Sequence, residues 1–278
     1  MIDKPAGVTS HDVVARVRRI FRIKAVGHTG TLDPFATGLL VLLMGRATRL
    51  ARFVEQRAKA YLATARLGFA TTTDDATGAM LGGERSVAID RDTIARTLSG
   101  MTGSQLQLPP AFSAKKVDGE RSYRRARRGE TVTLSASEVI IHRIELVSFD
   151  PPALVFRTTV SPGTYVRAIA RDLGDMLGTG GHLTALRREA IGDLMVDAAV
   201  PLAMLTDATP LVPLRTVLGH MPSTEVTPEE QIAISHGRPI PRIPGDGPDV
   251  LLVQGTRILA VARQDGDWLR PAVVLEGP

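Results

Sequence analysis

One stretch, Gly27-His28-Thr29-Gly30-Thr31-Leu32-Asp33-Pro34-Phe35-Ala36-Thr37-Gly38, holds a single carboxylate, Asp33, and a single imidazole, His28. The residues around them are small or turn-forming. Glycine lets a backbone take positive φ or approach a ligand closely. Pro34 pushes Asp33 toward an extended conformation. The apolar run Leu39 to Met44 follows and reads as a buried strand. A polar loop carrying one acid is thereby held against core. Taken alone, an Asp-Pro in such a loop more often shapes a turn than does chemistry. The chemistry open to it is narrow. Glycoside cleavage wants a second carboxylate as acid, and this stretch offers one. The chain has no cysteine, which removes a thiolate nucleophile, a Cys-ligated metal and a disulfide scaffold. Its six histidines are scattered without paired spacing, against a zinc hydrolase. There is no Gly-rich phosphate loop and no GxGxxG.

The elements that must position this loop read as follows. Thr9 or Ser10 can cap a helix over about 12–22, with Val13, Val14, Val17, Ile20 and Phe21 on its apolar face. Residues 47–55 read as a short helix. Residues 59–69 read as a strand, with Tyr61, Ala63, Ala65 and Leu67 on one side. Residues 71–83 are a polar loop, and a helix follows over about 90–99. Strands are expected at about 132–134, 139–149 and 153–160, a helix at about 165–176, and a short element over 183–194. Helices interleave with strands without a regular βαβ rhythm, so the class is α+β rather than a doubly wound sheet. Residues 201–225 are Pro-rich and read as a linker with short helices. Beyond Thr227, a helix over 228–235 and strands at 250–254, 258–263 and 268–274 make a small β-rich unit.

Residues 108–130 form a strongly basic stretch with Lys115, Lys116, Arg121, Arg124, Arg125, Arg127 and Arg128, and Tyr123 among them. Residues 121–128 could form a one- to two-turn helix. Such a patch neutralises phosphates and gives salt-dependent, sequence-blind affinity; a solvated charged helix is the equal alternative. The 278 residues carry a net charge of +5, compatible with a polyanionic partner but modest. No apolar run approaches the ~20 residues that span a bilayer, and Met-Ile-Asp-Lys-Pro is neither a signal nor a transit peptide. A soluble, cytoplasmic protein, and a monomer, is expected.

The stretch GHTGTLDPFATGLL closely resembles the signature of the bacterial tRNA pseudouridine-55 synthases, the TruB family. Other segments similar to the family follow in order: Asp3 to Gly7 with Thr9-Ser10; Lys59-Ala60-Tyr61 with Ala65 to Gly68; Pro109 to Lys115; Gly163 to Arg167; and Gly181 to Leu183 with Leu186 to Arg188. The resemblance covers about residues 1–200 well and the rest weakly.

It implies a pseudouridine-synthase-like fold, with a mixed, largely antiparallel sheet and flanking helices over residues 1–210. The small unit at 226–278 resembles a PUA-like domain, either RNA-binding or a buttress. The implied reaction is isomerisation of uridine 55 in the T loop of tRNA to pseudouridine. Uracil leaves C1′, rotates and rejoins through C5, and the C5 proton is lost. Nothing is oxidised and no group is imported, so no cofactor and no metal is expected.

The resemblance makes Asp33 the catalytic carboxylate, Arg167 the cation that lowers its pKa and orients it, and Tyr61 the residue that stacks on the target base. Tyr165 packs nearby, Leu186 completes an apolar wall, and His28 fills the gap left by the extruded base. Lys4 and Pro5 support the floor without a chemical role. The basic insertion, with Lys115, Lys116, Arg124, Arg125, Arg127 and Arg128, closes on the RNA stem-loop. On its residues alone, each of these has a plainer reading: a surface pair for Arg167, core or interface for the tyrosines, core for Leu186, a loop brace for His28. A second function also stays open, a tRNA-binding or tRNA-folding module whose main work is remodelling the loop.

Overall fold

The computed structural model describes residues 1–113, 115–117, 120–122, 125, 128, 130, 134–241 and 247–275. The chain opens with strand β1 (Ile2–Lys4) and helix α1 (Ser10–Phe21). Thr9 is the cap: its hydroxyl accepts from the Asp12 amide, while the Asp12 carboxylate accepts from the Thr9 amide, a reciprocal capping box. Val13, Val14 and Val17 are buried, and Arg22 at φ 55° ends the helix.

The apolar run 39–44 is two strands rather than one. Strands β2 (Val26–His28), β3 (Thr37–Leu40) and β4 (Leu42–Met44) follow α1, and β3 lies in the main sheet while β4 pairs with β2. The break falls at Val41, whose carbonyl accepts from the Thr29 amide at 3.0 Å instead of from a ladder partner. A six-residue apolar run carries no period that could place this break. Residues 45–50 form a 3₁₀ helix, and α2 (Ala51–Glu55) continues it.

Strand β5 (Lys59–Leu67) alternates buried and half-buried positions along its whole length, as its sequence requires. The expected polar loop at 71–83 contains a hairpin, β6 (Ala70–Thr71) with β7 (Met80–Leu81). Helix α3 (Arg91–Gly100) starts from an Asp90 cap, and β8 (Gly103–Gln107) follows. The hairpin of β9 (Lys116–Val117) and β10 (Glu120–Arg121) puts Arg121 in a strand, while Ser122 and Arg125 beyond it are helical, within the helix expected over 121–128. The strand expected at 132–134 falls largely on residues outside those described.

Strands β11 (Ser137–Asp150) and β12 (Ala153–Val160) form a long antiparallel pair. Tyr165 then precedes helix α4 (Val166–Met176). The short element expected at 183–194 is the eleven-residue strand β13 (Gly181–Ile191), with β14 (Leu194–Met195) folding back on its end. With β15 (Val200–Pro201), the main sheet runs β15-β1-β3-β13-β5-β12-β11-β8. Its β1–β15 and β3–β13 contacts are parallel and the others antiparallel. The α+β class and the mixed, largely antiparallel sheet are as the sequence implies.

The region read as a linker is partly core. Helix α5 (Leu214–Val217) buries Val217, and β16 (Ser223–Glu225) joins the second sheet. That sheet, with α6 (Pro228–Ser235) beside it, orders β16, β18 (Asp249–Gln254), β19 (Arg257–Asp265), β20 (Trp268–Val274) and β17 (Ile240–Pro241). Its inner face shares one apolar cluster with the first 60 residues: Leu251, Val253, Val261 and Val273 pack with Leu39, Val41, Phe53 and Val54. Arg46 and Arg49 donate to the Leu275 and Val274 carbonyls at 2.9 and 2.8 Å.

Candidate active site

The loop between β2 and β3 carries Asp33 and is tied down along its length. Leu32 and Ser10 exchange hydrogen bonds, amide to hydroxyl at 2.9 Å and hydroxyl to carbonyl at 3.2 Å. The Gly7 amide donates to the Pro34 carbonyl at 2.8 Å. Lys4 is fully buried, and its ammonium donates to the carbonyls of Val8, Pro5 and Pro34 at 2.8, 2.9 and 3.3 Å. It therefore anchors the Asp-Pro turn from below. Burial lowers its pKa to about 8, against the pull of Asp33 and helped by the nearby Arg188 cation.

Arg188 fixes the two ends of the same loop. Arg188 is 1% exposed, and its guanidinium donates to the Leu39 carbonyl at 2.7 Å and the Gly30 carbonyl at 3.1 Å. Gly38 sits at φ 100° against the Arg188 backbone, and a Cβ there would overlap the Arg188 carbonyl oxygen. Gly38→Ala is expected to lower stability by about 1–3 kcal/mol from backbone strain alone, more if β3 must move off β13. Thermal unfolding of the variant reads this; an unchanged midpoint would show that the close approach is dispensable.

Arg167, in the first turn of α4, meets Asp33 across the site. Its Nε lies 2.9 Å from one carboxylate oxygen and its Nη2 donates to the other at 3.2 Å. The arginine side chain is 4% exposed, whereas that of Asp33 keeps 33% of its surface open. The guanidinium also donates to the carbonyls of Thr73 and Phe112, both at 2.8 Å, and lies 3.5 Å from Asp75. One cation thus bridges two carboxylates and two backbone segments, a use that suits the planar fork of arginine. Burial pushes the Asp33 carboxyl above the usual carboxylate range; Arg167 pulls it back, Asp75 adds to the rise and Lys4 opposes it. Arg167 lowers the Asp33 pKa as the sequence reading expects, but the net direction is upward. The fold removes more hydration from Asp33 than Arg167 returns.

An apolar wall stands beside this pair. Tyr61, 8% exposed on β5, shares a cluster with Leu32, Ala36, Val166 and Leu186. Leu186 lies opposite Ala63 on β13, and Arg188 lies opposite Tyr61. Tyr165 caps α4 and is half-buried. Gln107 clamps its backbone, accepting from the Tyr165 amide at 2.8 Å and donating to its carbonyl at 3.1 Å. His28 ends β2, half-buried, opposite Leu42. The structure therefore joins Asp33 to Arg167, places Tyr61 and Leu186 in one wall, and sets Tyr165 at the mouth of the helix that carries Arg167.

The basic insertion is described only in part. Lys115 donates to the Ser135 carbonyl at 2.7 Å and the Ser137 hydroxyl at 2.6 Å, so its ammonium fastens the base of the insertion to β11. Arg125 and Arg128 both pair with Glu130, at 2.9 and 2.6 Å. Lys116 lies in β9. Tyr123, Arg124 and Arg127 lie outside the described residues.

Sequence reasoning missed the acidic side of the site. Asp75 is 5% exposed, its carboxylate accepting from the Thr73 hydroxyl at 2.8 Å and the Thr77 amide at 2.9 Å. Next to it, Asp74 takes φ 58° and pairs with Arg171 at 3.0 Å. Arg171, one turn beyond Arg167, also donates to the Leu108 carbonyl at 2.8 Å. In the sequence, a Thr/Asp/Gly run reads as solvated loop. The available signal was Arg167 and Arg171 at i and i+4 on one helix, two cations on one side in need of partners.

The architecture is shared with a solved Cbf5-Nop10-Gar1 complex. One chain of it superposes with a TM-score of 0.77, covering 99% of this chain and 84% of that one at 22% identity. That likeness shows the fold. Residues 18–166 match the N-terminal domain of the TruB family pseudouridylate synthases, and residues 167–224 match the tRNA pseudouridylate synthase B C-terminal domain. The class is thus a pseudouridine synthase, and the chain belongs to the TruB family. The tRNA pseudouridine synthase B of Thermobifida fusca (strain YX) is 44% identical over 286 residues, covering 100% of this chain and 98% of that protein. The protein of the same name from Mycobacterium leprae (strain TN) is 42% identical, with 99% and 89% covered.

Proposed function

We propose that the chain isomerises uridine 55 in the T loop of tRNA to pseudouridine, with Asp33 as the catalytic carboxylate. The observation that carries the reading is the Asp33–Arg167 pair, 2.9 Å apart, with the carboxylate partly open to solvent beside a buried apolar wall. Family membership over the full length of its relatives supplies the reaction class and tRNA as the substrate class. Single-stranded loops are where RNA bases can be splayed and read, which suits a T-loop target.

Ionised Asp33 adds to the nucleotide, at the sugar or the base, and the uracil is freed from C1′. The base turns against Tyr61 and Leu186, C5 bonds to C1′, and the bond to Asp33 breaks to return the free carboxylate. Loss of the C5 proton then restores the ring. Arg167 holds the carboxylate in one orientation throughout. Tyr61 faces the base and relays the C5 proton, its phenol passing one proton on to solvent as it accepts the other, Tyr165 closes the mouth, and His28 fills the stack that the extruded uridine leaves. The chemistry imports no group, so no cofactor or metal takes part.

Residues 1–210 are assigned to the catalytic domain. Residues 226–278 are assigned to a small β domain that buttresses it, in line with the shared apolar cluster. The protein works as a monomer in the cytoplasm, where tRNA matures. Among the described residues, no helix is long and apolar enough to cross a membrane.

Two experiments test this reading. In the first, a tRNA transcript is incubated with enzyme, and pseudouridine is mapped by carbodiimide modification and primer extension. A single stop at position 55, lost when uridine 55 is replaced by cytidine, is expected; stops elsewhere would sink the site assignment. In the second, Arg124, Arg125, Arg127 and Arg128 are changed together to Gln. Binding should weaken about tenfold or more at physiological salt, and its salt dependence should flatten. An unchanged salt slope would remove the insertion from the RNA interface.

A further inference from the structure

We infer that the exposed face of α1 is a second docking surface for the phosphate backbone of the RNA, outside the target loop. The inference rests on the proposed RNA substrate and goes beyond the site that modifies it. Residues 10–24 hold Arg16, Arg18, Arg19, Arg22 and Lys24 against one carboxylate, Asp12, in a chain whose net charge is only +5. Five cations against one carboxylate therefore fall within fifteen residues, on α1 and the turn that follows it.

Asp12 does not offset it locally, because its carboxylate is committed to the Thr9 amide and hydroxyl at 2.9 and 2.7 Å. Arg18 is also committed, donating to the Val26 carbonyl at 3.0 Å. Arg16, Arg19, Arg22 and Lys24 are exposed, and among the described residues none of them has an ion-pair partner. On α1, Arg16 and Arg19 lie away from the buried stripe Val13, Val14 and Val17, and Arg22 and Lys24 follow, exposed, in the turn beyond its C-terminal end.

Placement ties this face to the site. The N-terminal end of α1 is bolted to the loop of Asp33 by the Ser10–Leu32 pair of hydrogen bonds. From there the twelve residues of the helix run roughly 18 Å. The cations occupy its second half and the turn beyond it. An RNA whose loop nucleotide sits at Asp33 has backbone to place at that range, and four unpaired cations are what a polyanion takes up by counterion release. Contacts of this kind position an RNA without reading its sequence.

The test is a combined variant, Arg16→Gln, Arg19→Gln, Arg22→Gln and Lys24→Gln, with filter binding of an unmodified tRNA transcript between 50 and 300 mM salt. The slope of log affinity against log salt should become shallower by roughly 3–3.5, since each of the four lost phosphate contacts removes about 0.7–0.9. Affinity at physiological salt should drop at least tenfold, while turnover at saturating tRNA stays within twofold of wild type. A second variant, Arg16→Lys, Arg19→Lys and Arg22→Lys, keeps the charge and should keep the slope. Unchanged slope and affinity in the Gln variant, with an unchanged unfolding midpoint, would overturn the inference. So would equal loss in the charge-retaining variant. Binding is read without turnover, so a failure of the proposed reaction and a failure of this surface are separate results.

Discussion

Asp33→Asn is expected to reduce turnover by at least about 10³–10⁴-fold, the scale of losing an essential reacting group, while tRNA affinity stays within a few-fold. The amide keeps the shape of the carboxylate and the anchored turn beneath it, since Lys4 holds that turn through backbone carbonyls. What disappears is the charge. The same variant makes a prediction about stability, with a definite sign. Burial raises the Asp33 pKa in the folded chain above the unfolded value, which lies near 3.9. The folded state then holds its proton more tightly than the unfolded one. Stability is accordingly lost as pH rises from the unfolded pKa through the raised folded pKa, and the full cost persists above it. Asp33→Asn should therefore melt at or above the wild-type temperature at pH 7, and the gap should close near pH 4. A melting temperature several degrees below wild type at pH 7 would mean that the ionised carboxylate stabilises the fold. The wild-type rate should also fall on the acid side at a pH above the ordinary carboxylate value, because the reacting form is the ionised one.

Arg167→Met is expected to cost about 10²–10³-fold in kcat, with a smaller change in KM. The substitution leaves Asp33 and Asp75 without the cation between them and strips donors from the Thr73 and Phe112 carbonyls. Removing one partner from a buried pair costs about 3–5 kcal/mol, so some loss of stability accompanies the loss of rate. The acid limb of the rate profile should move upward, since Arg167 is the main group holding the Asp33 pKa down. Arg167→Lys should recover little. A single ammonium on a flexible stem cannot meet two carboxylates and two carbonyls placed around a planar fork. If the lysine variant worked within about tenfold of wild type with an unmoved acid limb, the bridging geometry would be irrelevant to the chemistry.

Local patterning made much of this fold legible in the sequence. Thr9 with Asp12 marks the start of α1, alternation marks β5, and the strand expected at 153–160 forms as read. Asp33, Arg167, Tyr61 and Leu186 were found through resemblance, and the first pair meets in space across 134 positions of chain. What stayed hidden was long-range. The break at Val41 depends on a carbonyl taken by Thr29, and no apolar run records that. The length of β13 depends on its neighbours β3 and β5, which the sequence does not place beside it. Asp75 reads as a loop residue until the fold buries it beside Arg167. Arg188 has no role assigned from the sequence beyond its place in a family-like segment, yet the fold encloses it and sets it on the two ends of the catalytic loop.

The most direct measurement is tritium release from a tRNA transcript labelled at uridine C5, with Asp33→Ala beside wild type. Bond formation at C5 must expel that hydrogen, so release counts isomerisation events. Wild type should release tritium to the extent of one site per tRNA, and Asp33→Ala should release none above background. Release by the variant at a rate near wild type would contradict the role of Asp33, and no release by folded wild type bound to tRNA would contradict the reaction itself.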